Sequence, residues 1–363
     1  YPKMSINLCT YILPLYLPSL YHINHRFCIM NKKTELGQFF TVNPLWLKKH
    51  IRKFIYNSGC NIIYDPFAGS GELLKVISFL NNKYITVGLD IDKRFGWKYN
   101  DSLENIPHID NAIIITNPPY LAKQSATRKK IDLSRYFFTT KYDDIYLLAL
   151  DNMLKAQTYI VAIIPESFIN STFNKKNLLS SITVLEENPF LDTETPICVV
   201  CFDGVFKDYK DIKVYKNDNL VSNLYSVYET RLKPTNEINI KFNDLSGWLG
   251  LRAVDSSNDN NKISFALKEN MKYDWNKKIK VSSRHITLIN MDVPIHLRNI
   301  FIQKANEKIQ EIRIKSADLA FTAFKGNTKS GMRRRRIDFK LVRAVLEIVY
   351  KDLINEFGEK YEA

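Results

Sequence analysis

Four apolar runs, each closing on a polar or glycine-rich turn, organise the first two hundred residues. "NIIYDPFAGSG" predicts a short strand through Tyr64, and "YITVGLDID" one from about Tyr84 to Leu89, ending at Asp90. "AIIITNPPY" predicts a strand to Thr116, and "YIVAIIPESF" one to about Ile164. These runs are continuous and β-branched rather than alternating, the pattern of strands buried on both faces. Helical periods lie between them, in "GELLKVISFLNN" and "DIYLLALDNMLKAQ". Alternating strands and helices predict an α/β domain around a mostly parallel sheet. Asp65, Asp90 and Asn117 all fall just past the carboxyl ends of their strands. In open α/β sheets that edge is where ligands bind.

The rhythm stops after about Phe206. Lys, Asn and Asp become frequent, and no further strand–helix alternation follows. The expected organisation is therefore a domain over 30–206 and a second region over 207–363. Near the end, Leu341, Val345, Ile348, Val349 and Leu353 recur at helical spacing after Asp338, a residue suited to an N-cap. At the other end, "INLCTYILPLYLPSLYHINHRFC" is apolar but broken by Pro14 and Pro18, too interrupted to span a bilayer. Met30–Lys33 reads as an ordinary protein start, so residues 1–29 are expected to be an extension outside the fold.

Composition narrows the partners. Of 363 residues, 45% are hydrophobic, enough for a large core, and the net charge is +14. That excess favours an anionic partner, nucleic acid before a membrane surface. The five cysteines are scattered and odd in number, which fits a reducing, cytoplasmic setting better than a disulfide framework. Cys198 and Cys201 have C-x-x-C spacing but sit in "PICVVCFDG", which reads as a buried strand. Residues three apart on a strand face opposite sides, so no metal site is expected there.

Candidate chemistry gathers at the strand ends. Gly69 and Gly71 in "DPFAGSG" allow a tight strand-to-helix turn and close backbone approach to a ligand. Asp90 is placed to accept from ribose hydroxyls, against the plainer reading of a surface Asp. Asp101 suits an adenine amine but reads equally well as an ordinary turn Asp. In "NPPY", the Asn117 amide oxygen and the Pro118 carbonyl are two acceptors at restricted geometry, which suit a planar amine. Tyr120 offers a stacking face. In isolation the same four residues read equally well as a proline turn with a surface tyrosine.

The order of these elements resembles that of the S-adenosylmethionine-dependent amino-methyltransferases, and most closely the gamma class of N6-adenine DNA methyltransferases. "LGQFFT", "DPFAGSG", Asp90, Asp101, "NPPY" and "IIPESF" follow one another from Glu35 to Phe202, and a basic C-terminal region comes last. The resemblance implies a Rossmann-like methyltransferase sandwich with a C-terminal target-recognition region. It implies that Phe39, Phe40 and Thr41 lie against the methionine end of S-adenosyl-L-methionine and that Asp65, Ala68, Gly69 and Gly71 line the cofactor. Asp90 would hold the ribose, Ile91 would pack on the adenine, and Asp101 would bind its amine. Asn117, Pro118, Pro119 and Tyr120 would form the catalytic element. Tyr120 and Phe190 would stack on a flipped target base. Only ten residues separate Asp90 from Asp101, fewer than this family shows, which implies a truncated helix and leaves Glu104 as a second candidate.

The activity so implied is methyl transfer to the N6 amine of adenine in double-stranded DNA, within a restriction–modification system. A cognate endonuclease would share the site, and the enzyme would act as a monomer without a membrane or a metal. RNA methylation and, more remotely, glutamine methylation are the alternatives. Two basic stretches are the expected DNA contacts. Lys123, Arg128, Lys129 and Lys130 follow the catalytic element, and Arg333, Arg334, Arg335 and Arg336 run in series near the end.

Overall fold

In the computed structural model, residues 44–138, 140–187, 189–190, 195–258, 261–275 and 285–357 are described. The expectations for residues 1–29 and for Phe39, Phe40 and Thr41 lie outside them.

All four predicted strands form. Helix α1 (Lys49–Asn57) leads into β1 (Ile62–Asp65), α2 (Glu72–Leu80), β2 (Ile85–Asp90), β3 (Lys98–Tyr99) and β4 (Ala112–Thr116). Then come α3 (Lys123–Lys129), α4 (Ser134–Phe137), α5 (Ile145–Ala156), β5 (Ile160–Pro165), β6 (Leu179–Val184) and β7 (Ile197–Phe202). β8 (Lys213–Lys216), β9 (Asn219–Asn223) and α6 (Leu224–Glu229) complete the first unit. The nine strands make one sheet in the order β3-β2-β1-β4-β5-β7-β6-β8-β9. β3, β2, β1, β4 and β5 run parallel, and β7 runs antiparallel between β5 and β6. Every residue of β4, β5 and β7 is buried, so both faces of the sheet's centre are covered, as their unbroken apolar runs require. This is a Rossmann-like α/β sandwich. The chain steps outward from β1 to β3, then returns to lay β4 on the other side of β1, which creates a topological switch point between β1 and β4.

The sheet continues past the expected boundary at 206. β8 pairs with β6, and Ile212, Val214, Leu224 and Val227 belong to the first core. The change of unit comes after Glu229. The second core begins at Ile240 and holds a four-stranded antiparallel sheet: β10 (Lys241–Phe242), β11 (Leu249–Arg252), β12 (Ser264–Leu267) and β13 (Ile286–Asn290). Helix α7 (Arg298–Lys315), the hairpin β14 (Thr322–Asn327) with β15 (Arg333–Arg336), and α8 (Phe339–Phe357) finish it. Asp338 caps α8 as its position suggested: its Oδ1 accepts from the Leu341 amide at 2.8 Å.

Candidate functional site

The polar residues predicted at the strand ends meet at the switch point. Asp65 ends β1 almost fully buried, and its Oδ1 accepts from Thr116 Oγ1 at 2.6 Å and the Phe67 amide at 3.0 Å. Burial pushes the Asp65 carboxyl up to about 7, with the charge of nearby Asp90 acting in the same sense and the two hydrogen bonds opposing. Asp90 ends β2. Its Oδ2 accepts from the Gly69 amide at 2.7 Å and its Oδ1 from the Asp92 amide at 2.7 Å. The acid therefore fixes the glycine loop as well as facing the cavity.

Trp97 explains the glycines. Its indole N–H donates to the Gly69 carbonyl at 2.8 Å. A Cβ on Gly88 would lie 2.5 Å from the indole, and one on Gly71 would lie 2.8 Å from it. Gly71 also has φ +78°, where side chains are strained. Gly69, at φ +51°, is different: a Cβ there would meet nothing within 4 Å.

The loop borders a cavity of about 270 Å³. Of the residues singled out from the sequence, Asp65, Ala68, Gly69, Asp90, Ile91, Asp101, Asn117 and Pro119 line it. Gly71 faces Trp97 instead, and Pro118, Tyr120 and Phe190 are buried and do not line it. Phe95, Leu133, Tyr136 and Ile145 complete the lining. No motif in the sequence marked these four. Phe95 sits in the single 3-10 turn that replaces a helix between β2 and β3, while Leu133 and Tyr136 lie at and in the short α4 that follows the basic residues of α3.

Tyr120 is not the surface residue of a simple turn. It is buried, and its hydroxyl shares its one proton between two acceptors, Asn117 Oδ1 and, at 2.9 Å, the Ile163 carbonyl of β5. Burial raises its pKa well above the ordinary phenol value, so the hydroxyl stays a donor. Its ring meets Tyr146 edge-on and Phe190 at a centroid distance of 6.4 Å, tilted 58°. Cys198 and Cys201 are fully buried along β7.

The basic stretches separate. Lys123, Arg128, Lys129 and Lys130 are exposed on or beside α3. The arginine run divides. It forms β15, in which Arg335 and Arg333 point inward and are buried, a correction to their expected DNA contact, while Arg334 and Arg336 alternate to the other side and are half-buried. Arg335 pairs with the buried Glu166 carboxylate just after β5, and Arg333 Nη2 donates to the Glu186 carbonyl at 3.3 Å. The Arg335 amide donates to Asp255 Oδ2 at 3.0 Å, and Arg334 Nε donates to the Asp255 carbonyl at 2.8 Å. Two buried, paired guanidinium groups cannot reach a phosphate. They join the two units instead, because alternation along a strand sends every second side chain inward.

No protein-family model matches this chain, and no curated protein matches it. Among solved structures, it is similar to a Listeria monocytogenes protein described as a class I S-adenosylmethionine-dependent methyltransferase (16% identity, 53% of this chain and 72% of that one, TM-score 0.35). It is also similar to the methyltransferase subunit of a type I restriction-modification system from Streptococcus thermophilus (17% identity, 57% of this chain and 56% of that one, TM-score 0.36). A Pyrococcus horikoshii protein described as an RNA methyltransferase aligns over 50% of this chain and 99% of its own (14% identity, TM-score 0.31). Among the described residues, no helix is long and apolar enough to cross a membrane.

Proposed function

We propose that this protein is an S-adenosylmethionine-dependent methyltransferase acting on the N6 amine of adenine in DNA. The observation that carries the reading is one cavity at the β1/β4 switch point, walled by the Asp90 and Asp101 carboxylates and by Asn117 and Pro119 of the "NPPY" element. The residues fit the cofactor. Acceptors lie at separate points of the wall, and Ile91, Phe95, Leu133 and Ile145 supply the apolar surface a nucleoside needs. Gly69 leaves open the space a side chain would fill.

The cofactor supplies a methyl group already activated on a sulfonium. The chain has to position an amine in line with it at about 3–3.5 Å. The lone pair of an aromatic amine is delocalised into its ring, so the nitrogen is a weak nucleophile. Acceptors at Asn117 Oδ1 and the Pro118 carbonyl draw the two N–H bonds toward tetrahedral geometry. They also stabilise positive charge as it builds on nitrogen. A carbonyl oxygen has two lone pairs. Asn117 Oδ1 can therefore keep its bond from Tyr120 while accepting from the amine. The product cation loses its proton to water, so no tuned general base is needed.

A base within a duplex cannot enter this cavity, so the target is flipped out. Stacking on it by Tyr120 and Phe190 requires these two buried rings, tilted 58° at 6.4 Å, to separate. The net charge of +14 and the exposed cations of α3 support a polyanionic substrate. The test is expression in a host free of DNA methylation, with modified adenines mapped by sequencing. A recurrent methylated site is expected. Unmodified DNA alongside modified host RNA would overturn the DNA assignment.

A further inference from the structure

The geometry points to Arg135 and Tyr136 as positioning residues that set the Asp101 carboxylate to recognise the exocyclic amine of a purine. This rests on the cofactor reading above. Asp101 sits in a loop between a two-residue β3 and a turn in which the Glu104 and Asn105 amides donate to its carbonyl at 3.1 Å, bonds that fix its backbone and not the plane of its carboxylate. A carboxylate on such a loop discriminates poorly unless something holds its orientation.

The hold comes from α4, which follows the catalytic element in the chain. Asp101 Oδ2 accepts from Arg135 Nη2 at 2.9 Å and from Tyr136 Oη at 2.8 Å. Two donors on one oxygen fix the plane of the group. Oδ1 takes a longer 3.2 Å bond from the Leu103 amide and keeps acceptor capacity for a ligand. Tyr136 is buried and itself lines the cavity. Burial, reinforced by its bond to Asp101, pushes its hydroxyl up to about 12, so it remains a donor at neutral pH. Arg135 also pairs with Glu104 at 3.5 Å, and its guanidinium lies 4.5 Å from the Tyr136 ring centre. The second acid considered from the sequence is thus part of the same clamp.

A carboxylate locked as an acceptor favours a 6-amino purine over a 6-oxo purine. The oxo group turns a donor into an acceptor and sets two acceptors against each other. The experiment is calorimetric binding of S-adenosylhomocysteine and S-inosylhomocysteine to the full chain. Unsubstituted protein is expected to prefer the adenosyl compound. Tyr136→Phe, which keeps the ring, and Arg135→Gln are each expected to lower that preference about three- to tenfold. In an Asp101→Asn background, Tyr136→Phe is expected to change nothing further. An unchanged preference, equal weakening of both compounds, or an undiminished effect in the Asp101→Asn background would overturn the positioning role. Failure of the unsubstituted protein to bind either compound would instead overturn the cofactor reading.

Discussion

The Tyr120 hydroxyl reaches the side-chain oxygen of Asn117 and, at 2.9 Å, the Ile163 carbonyl, tying the end of β4 to the middle of β5. Asn117 is therefore not a loose amide at a turn. Its oxygen is oriented by a buried phenol that is itself anchored to the sheet. Two substitutions separate the roles. Asn117→Ala removes the acceptor and is expected to abolish methylation while calorimetry still detects cofactor binding. Tyr120→Phe keeps the ring but loses the hydroxyl. It is expected to lower kcat about tenfold, as the loss of one hydrogen bond allows, with little change in KM for DNA. Near-normal turnover by Asn117→Ala would remove this residue from the chemistry.

Asp65 makes stability depend on pH. Its carboxyl is pushed up to about 7 in the folded chain by burial, against about 3.9 in an unfolded one. The folded state thus holds the proton more tightly. Stability falls as pH rises from about 4 to about 7 and levels off above, by at most ~4 kcal/mol from this group. Asp65→Asn keeps an acceptor for Thr116 and Phe67 but cannot ionise. Chemical denaturation across that pH range is expected to show a shallower decline in the variant, and an identical decline would place the titration elsewhere.

The Glu166–Arg335 pair joins the two units, with both side chains almost fully buried. Removing one partner strands a buried charge, at a cost of about 3–5 kcal/mol. Arg335→Ala is expected to lower the melting temperature by several degrees. It should leave the salt dependence of DNA binding unchanged, because a buried guanidinium releases no phosphate counterion. A flattened salt dependence would return Arg335 to the DNA surface.

The exposed cations around α3 are expected to behave oppositely. Replacing Arg128, Lys129 and Lys130 with Gln should leave the melting temperature near its original value. It should also reduce the slope of log K against log salt by about 0.9 for each phosphate no longer neutralised. Fluorescence anisotropy at several salt concentrations checks this, and an unchanged slope would count against an α3 grip on the DNA backbone.

Local chemistry determined much of this protein. Continuous β-branched runs can be satisfied only by strands covered on both faces, so "AIIIT" and "IVAIIP" announced the centre of a parallel sheet. A strand must deliver its next residue to the sheet edge, so Asp65, Asp90 and Asn117 were legible as neighbours from the chain alone. Only the tertiary structure decided which charges face water. Arg333–Arg336 and Lys123–Lys130 look alike as sequence, but pairing with β14 turns Arg335 toward Glu166, 169 residues away, while α3 leaves its cations outside. Burial is set by partners distant in the chain, and composition carries no record of them. The same holds for Tyr136. Its hydroxyl meets Asp101, 35 residues earlier in the chain, an approach that no periodicity or motif encodes.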